Sequence, residues 1–492
     1  MKNRSFTANG AVTHSSSTNA LVDYFFQSGT LRFEQDEEII WSLWITAFNG
    51  NPQAALRLLF YTRDVRGGQG ERRVARVIFR RLALNSNQAQ PLADNLHLVP
   101  EYGRWDDLLV FIHTDLEEEA LSLITNALSE GNATCSKWMP SETSKREIGG
   151  VPGYVAARKI REFMCISKRA YRKMRTRLNN VVESQMCAKK WNEIEFSKIP
   201  SQCALKRKDA FHRNCKERYE EYVEALVDGT ETVNAGTLHP HQLVEKIREN
   251  NNPDYQGIDR ALISAQWAAL PNYFEAHTSN NKFLPLVDTS GSMTRGKGTV
   301  SPLDVALALG VYIAERNVGA FQDAFLTFSE DTKLEVLEGE DVWEKVLNLE
   351  NADWGGNTNL IAAFDLILLH AIRNSVSQYE MPETILILSD MEFDESQRTP
   401  YYGSRVDTLD CTSYEIIKNK FDNAGYQAPK IVFWNLGAST KNVPVKAHET
   451  GTALVSGYSP SILKQLLETG TISPIELVLQ VINSDRYANI TI

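Results

Sequence analysis

The residues of this chain best suited to chemistry begin at Asp288, where Asp288-Thr289-Ser290-Gly291-Ser292 sets a carboxylate and two hydroxyls at alternate positions. Three hard oxygens on one short loop suit Mg²⁺, Mn²⁺ or Ca²⁺ and suit zinc poorly. Gly291 permits the tight backbone path that this spacing demands. Two further loops offer ligands to the same ion. Trp354-Gly355-Gly356-Asn357-Thr358-Asn359 presents Thr358 ahead of a helix-like segment, and Ser389-Asp390 closes the apolar run Glu383–Leu388. The candidate site is therefore Asp288, Ser290, Ser292, Thr358 and Asp390, holding a divalent cation, Mg²⁺ foremost. A Ser-rich turn capping a helix would explain the first loop taken alone; three such loops in order argue for the ion. His239-Pro240-His241 resembles a metal pair, but the intervening Pro and the lack of a nearby acid favour a loop. No P-loop, G-x-G-x-x-G or Ser-His-Asp arrangement occurs, and no set of carboxylates of the kind a two-metal nuclease needs.

A second concentration of chemistry lies between Arg158 and Arg218. Eighteen Lys and Arg against six acids give that stretch +12, in a chain whose net charge is −10, so the remainder carries −22. A polyanionic partner is the usual reason for such asymmetry. Arg158, Lys159, Arg161, Lys168, Arg169, Arg172, Lys173, Arg175, Arg177, Lys206, Arg207 and Lys208 are the candidate contacts to such a partner, because basic side chains neutralise phosphates without reading sequence. Phe163, Tyr171, Trp191, Phe196, Phe211 and Tyr219 interleave with them. Exposed aromatics could stack on unpaired bases, although Trp191 and Phe211, at helical spacing from other apolar residues, fit a core better. A solvated charged face is the competing explanation for the whole stretch.

Both sets of residues need elements to hold them. At 492 residues the chain calls for two or three domains. Residues 1–19 read as a polar, partly disordered arm and lack the apolar core of a secretory signal. From 20 to 277 apolar residues recur at three and four, as in Glu38–Phe48, Ala54–Tyr61 and Arg73–Leu84, with Asn51-Pro52 and Arg66-Gly67-Gly68-Gln69-Gly70 as turns. Paired helices stacked as a solenoid are the expectation there, with the basic segment 158–218 on helices near Val155–Cys165 and Lys168–Lys189. From 278 to 492 apolar strand-like runs (Phe283–Val287, Ala324–Phe328, Thr384–Leu388, Lys430–Trp434) alternate with helix-like segments near Pro302–Arg316, Leu360–Asn374, Cys411–Ala424 and Pro460–Glu468. That alternation predicts a parallel-dominated sheet covered on both faces, which carries its ligands beyond the carboxyl ends of its strands. The fold class expected is α + α/β.

The D-x-S-x-S loop, the G-x-T-like loop and the strand-terminal Asp together resemble the metal-ion-dependent adhesion site of von Willebrand factor A domains. That resemblance implies that Asp288, Ser290, Ser292 and Thr358 approach the ion and that Asp390 acts through water. Many relatives carry Gly after the last Asp, where this chain has Met391 and Glu392. In the helical part, Arg63-Asp64-Val65-Arg66-Gly67-Gly68-Gln69-Gly70-Glu71-Arg72 and Gly103-Arg104-Trp105-Asp106-Asp107-Leu108-Leu109 resemble signatures of the TROVE (Ro autoantigen-like) family. Lys137-Trp138-Met139-Pro140-Ser141 and the basic, Trp-containing centre look closer still to a group of phage and cellular homologues. The resemblance implies a HEAT-like helical solenoid or ring followed by a von Willebrand A-like domain, and binding of small structured or misfolded RNAs. Asp64 and Glu71 fit a salt-bridged turn fixing two helices; Arg66 and the glycines after it fit either role.

Three functions are open at this point. The first is a non-enzymatic RNA-binding ribonucleoprotein component with Mg²⁺ in its A-like domain. The second is an assembly scaffold whose ion bridges to a partner's carboxylate, and the third, least favoured, is a metal-dependent nuclease. No apolar run of 18 residues exists to span a membrane. Six cysteines at irregular spacing, without C-x-x-C, are expected to be reduced and mostly buried in a cytoplasmic, monomeric protein.

Overall fold

The computed structural model describes residues 3–85, 89–179, 181–249, 256–275, 282–294, 300–317, 321–328, 334–352, 358–394, 411–437, 442–469 and 473–492. Its strands are β1 (Arg4–Phe6), β2 (Val12–His14), β3 (Glu147–Ile148), β4 (Val151–Pro152), β5 (Phe283–Val287), β6 (Ala324–Thr327), β7 (Leu334–Val336), β8 (Thr384–Ser389), β9 (Lys430–Asn435) and β10 (Thr452–Ser456). The architecture is mixed: a helical part, and a C-terminal sheet that is mostly parallel. Among the described residues, no helix is long and apolar enough to cross a membrane.

The six-stranded sheet runs β10-β9-β8-β5-β6-β7, parallel except for β7, which lies antiparallel to β6. Every residue of β5, β6, β8 and β10 is buried, the signature of strands covered on both faces. Pro285 cannot donate to a ladder, which disfavours it inside a sheet. Here β6 joins β5 only at Leu286 and Val287, so Pro285 precedes that pairing and faces Leu386 of β8 in register. The four runs read as strands from sequence all form. β7 and β10 were not foreseen; β10 is a five-residue run between Gly451 and Gly457, too short to declare a period.

Chain order reverses between β5 and β8. From β5 the chain moves to β6 and β7 on one side, then returns to build β8, β9 and β10 on the other. Such a switch point opens a crevice at the strands' carboxyl ends, and the residues leaving β5 and β8 there are Asp288 and Asp390.

The chain divides into two compact units: residues 1–34 with 238–481, and residues 35–237 with 482–492. This differs from the expected division at 277/278. The helices Pro240–Glu249 and Gln256–Ala268 read as part of a helical domain, but their ion pairs go to the sheet unit. Arg248 pairs with Asp304 and Glu350, and Arg260 with Asp341 and Glu344 (2.5 Å each). Trp267 donates its indole N–H to Glu315 (2.6 Å). The first residues also differ from the disordered arm expected. β1 and β2 pair antiparallel, and His14 exchanges backbone hydrogen bonds with Val443 (3.0 and 2.8 Å). The helix Ala20–Ser28 then buries Tyr24, Phe25 and Phe26, with Phe25's carbonyl accepting from Ser456 of β10 (3.0 Å). A polar composition was compatible with disorder, yet the hairpin supplies its own ladder.

The second unit is built of consecutive helices, including Glu37–Gly50, Pro52–Arg63 and Arg72–Ala83, with Asn51 capping the second and Pro52 in its first turn. The expected helix Lys168–Lys189 is two: Lys168–Leu178 and Val182–Cys187. The closing residues 482–492 belong to this unit. Arg57 donates to the carbonyl of Ile490 (3.2 Å), and Asn95 to that of Thr491 (2.6 Å).

Candidate metal centre and basic surface

Asp288 is fully buried where β5 ends, its backbone N–H donating to Leu388 (3.0 Å) so that the two strand ends stay in register. One carboxylate oxygen accepts from the Ser290 backbone N–H (2.9 Å), the other from the Ser389 hydroxyl (2.5 Å). Ser290 and Ser292 share a hydroxyl hydrogen bond of 2.9 Å. Asp390 is almost as buried and accepts from the Glu392 backbone N–H (3.2 Å). Asp288, Ser290, Ser292 and Asp390 are thus brought to one place.

Two carboxylates buried together repel. Burial and the neighbouring Asp390 push the Asp288 carboxyl up to about 6, against the opposing pull of its hydrogen bonds. Burial likewise raises Asp390. Among the described residues neither carboxylate has a Lys or Arg partner. Two carboxylates beside two hydroxyls are a donor set of the chemistry that fits a hard cation. No group of three His, Cys, Asp or Glu gathers among the described residues, so the donors are hydroxyl-rich.

Thr358 is buried and joins the same loop indirectly. Its backbone N–H donates to the Asp394 carboxylate (2.5 Å), and its carbonyl accepts from the Asp394 N–H (3.2 Å). The glycines before it, Gly355 and Gly356, lie outside the described residues. Sequence reasoning missed Ser389, Asp394 and the N-terminal turn. The Thr7 hydroxyl donates to the carbonyl of Phe393 (2.6 Å), and the Ala8 N–H to the Glu392 carboxylate (2.6 Å). Ser389 precedes a named Asp and could have been found; the contacts of residues 7 and 8 span some 380 positions and left no local signal. Gly437 lies so close that a Cβ there would overlap Asp390.

The basic residues are sorted by their partners. Lys159 pairs with Glu117 (2.6 Å), Arg161 with Glu142 (2.6 Å) and Glu162 (3.1 Å), Lys168 with Glu142 (3.2 Å), and Lys208 with Asp209 (3.9 Å). Arg175 is half-buried beside the Tyr171 ring. Arg158, Arg169, Arg172, Lys173, Arg177, Lys206 and Arg207 are exposed and make no ion pair among the described residues. Trp191 and Phe211 pack inward as their spacing implies, and of the other aromatics all but Phe163 depart from the stacking expectation. Tyr171, Phe196, Phe211 and Tyr219 are buried; Trp191 packs on Phe211 (6.3 Å between centroids), and Phe211 on Phe196 (5.7 Å). They form the core under the charges, and Phe163 alone of the six is exposed.

The signature residues of the helical part turn inward. Asp106 and Asp107 are fully buried and gather Arg63, Arg76, Arg104 and Arg146 at 2.7–3.2 Å. Burial alone would raise the Asp106 carboxyl, but Arg76 and Arg104 hold it below the usual carboxylate range. Asp64, also fully buried, pairs with Arg486 and accepts from the Tyr487 hydroxyl (2.9 Å). Arg66 donates to the carbonyl of Glu101 (2.6 Å). The His239 and His241 rings stack at 5.6 Å, and Pro240 opens a helix instead of a loop; burial holds both histidines down, His239 to about 4. Three of six cysteines are buried, Cys135, Cys203 and Cys215; Cys165 and Cys187 are exposed and Cys411 is intermediate, so the expectation of mostly buried thiols is met only in half.

Residues 7–150 and 133–277 match the domain of unknown function DUF2828, and residues 283–488 match the domain of unknown function DUF7788. Uncharacterized protein L728 of Acanthamoeba polyphaga mimivirus is 30% identical over 536 residues, covering 98% of this chain and 88% of that protein. Among solved structures, the crystal structure of Deinococcus radiodurans RO (RSR) protein aligns over 95% of this chain and 99% of its own, with a TM-score of 0.47 and 13% identity.

Proposed function

This chain belongs to the DUF2828 family, and we propose that it is a non-enzymatic RNA-binding protein, a ribonucleoprotein component, whose sheet unit is a von Willebrand factor A-like domain holding Mg²⁺. The RNA reading rests on the helix Lys168–Leu178. Six of its eleven residues are basic, none is acidic, and Arg169, Arg172, Lys173 and Arg177 stand exposed without ion pairs among the described residues. Like charges on one short helix repel. Phosphates relieve that repulsion, and their neutralisation releases counterions. The inward-turned signature residues fit a TROVE-like, HEAT-like scaffold that holds such a face rigid.

In the sheet unit, Asp288, Ser290, Ser292 and Thr358 would hold the ion, with Asp390 acting through water. The cation would supply charge for two buried carboxylates and an electrophilic position for an outside oxygen. That arrangement favours a second reading, in which a partner protein's carboxylate completes the coordination and the chain is an assembly scaffold.

The deciding experiment is RNA binding by the full chain, stripped with RNase and salt, across a range of salt concentrations. Four phosphate contacts predict a slope of log K against log salt of about −2.8 on single-stranded RNA. Changing Arg169, Arg172, Lys173 and Arg177 to Gln should flatten it and leave Mg²⁺ binding intact. Binding without a salt slope, or an unchanged slope in the variant, would remove this helix as the RNA site. A Mg²⁺-dependent protein partner captured by a chain that binds no RNA would establish the scaffold reading.

A further inference from the structure

The helix Arg72–Ala83 places Arg72, Arg76 and Arg80 at i, i+4 and i+8, on one face. Together with Arg73 and Arg81 they line a cavity of about 440 Å³ whose opposite wall is the β3–β4 turn, Gly149-Gly150. Like charges at i, i+4 destabilise a helix, so this stripe needs neighbouring negative charge, and the helical unit supplies too little. Asp106 and Asp107 are already shared among Arg63, Arg76, Arg104 and Arg146. Arg80 donates to the carbonyls of Val110 (2.6 Å) and Ile112 (3.1 Å), and Arg73 to that of Gln35 (3.5 Å); carbonyls satisfy N–H groups without cancelling charge.

One Nη of Arg73 is buried with no hydrogen-bond partner, and Arg72 makes no ion pair among the described residues. Arg72 is exposed as a residue, and burial of its charge, with Arg104 and Arg76, pushes it down to about 10. Arg81 is balanced by Glu38 (2.5 Å). Glu37 and Glu147 also line the cavity but are exposed and pair with none of these arginines among the described residues. Five guanidiniums therefore line the cavity against two exposed carboxylates, Glu37 and Glu147.

We propose that this cavity binds a phosphate group, carried either by a free phosphorylated small molecule or by the end of a nucleic-acid strand. Planar guanidiniums match phosphate oxygens in bidentate geometry. Both glycines of the facing turn have positive φ (+54° and +84°), and a Cβ on Gly149 would lie 2.6 Å from Val110, so that wall is bare backbone able to approach a ligand closely. The site is separate from the exposed helix Lys168–Leu178, none of whose residues lines this cavity.

The test uses the full chain, with inorganic pyrophosphate as the probe in calorimetry. A second arm compares 5′-monophosphorylated with 5′-hydroxyl oligouridylate of ten nucleotides. Pyrophosphate should bind wild type and raise its melting temperature. Arg72→Gln with Arg73→Gln should weaken binding by about tenfold or more, while the Gln variant of the Lys168–Leu178 helix binds pyrophosphate as wild type does. Arg72→Lys with Arg73→Lys keeps the charge and the fold but loses the fork, and should fall in between. A preference for the 5′-phosphate that the Gln variant loses assigns the ligand to strand ends; equal binding of the two oligonucleotides, with pyrophosphate binding intact, assigns it to a free phosphorylated molecule. A wild type that ignores both pyrophosphate and the terminal phosphate overturns the proposal. So does pyrophosphate binding that neither pair of substitutions changes.

Discussion

At the scale of single residues the two units use buried carboxylates in opposite ways. Asp107 is satisfied by guanidiniums within its own unit, whereas Asp288 and Asp390 are neighbours with no Lys or Arg partner among the described residues. Removing one member of a buried ion cluster leaves its partners charged and unpaired, at a cost of roughly 3–5 kcal/mol. Asp107→Ala should therefore lower unfolding free energy by about that much in urea titration; a loss under about 1 kcal/mol would show that water reaches those arginines. Asp106 adds a pH signature. Its carboxyl lies below its unfolded value, so its stabilisation is complete at neutral pH and is lost as pH falls through the folded pKa, below about 4. At the metal loop, Asp288→Ala should abolish Mn²⁺ binding in calorimetry while keeping the far-ultraviolet dichroism, and Thr358→Ala should weaken it. Gly437→Ala touches no ligand but would displace Asp390, and should also weaken Mn²⁺ binding; equal affinity in Gly437→Ala and wild type would detach Asp390 from the ion.

At the scale of elements, the helices Pro240–Glu249 and Gln256–Ala268 decide what can fold. They cover the helix Pro302–Arg316, which is buried from Pro302 to Ala314, and their arginines pair with Asp304, Glu350, Asp341 and Glu344. A fragment beginning at Thr278 would bare that face and also lose the N-terminal strands and the helix Ala20–Ser28. Exposed apolar surface of this kind drives aggregation. The fragment should be insoluble, or bind a hydrophobic dye, where one carrying 238–481 together with residues 1–34 is monodisperse. Equal solubility of the two on gel filtration would show that the sheet unit does not need those helices.

At the scale of the whole chain, each compact unit is assembled from two separated stretches of sequence. The family matches change over between residues 277 and 283, while the units exchange the chain at 34/35, 237/238 and 481/482. The last eleven residues carry Arg486 and Tyr487 to the buried Asp64. Ending the chain at Val481 should destabilise the helical unit by several kcal/mol, since a buried carboxylate loses its cation. A truncated chain that melts as one with wild type would show that Asp64 takes another partner. The +12 segment lies wholly within the helical unit, so the salt dependence of RNA binding should survive Asp288→Ala unchanged.

Composition and periodicity alone were enough for the mixed architecture, four of the six strands in the main sheet, and the loop at Asp288. Those features rest on local rules: a strand covered on both faces is mostly apolar, and oxygens that are to meet on one loop must be closely spaced. Four of the five residues named for the ion came together because a switch point between β5 and β8 forces two strand ends side by side, which chain order cannot display. Sequence could count the cations between Arg158 and Arg218, but not subtract the ones that Glu117 and Glu142 neutralise, nor see that Tyr171, Phe196 and Tyr219 turn inward. Charge counting is local, whereas pairing and burial depend on residues dozens to hundreds of positions away. The same holds for the arginines of the helix Arg72–Ala83. Their spacing was written in the sequence, but only the fold set them against Gly149-Gly150 and left their charge in excess.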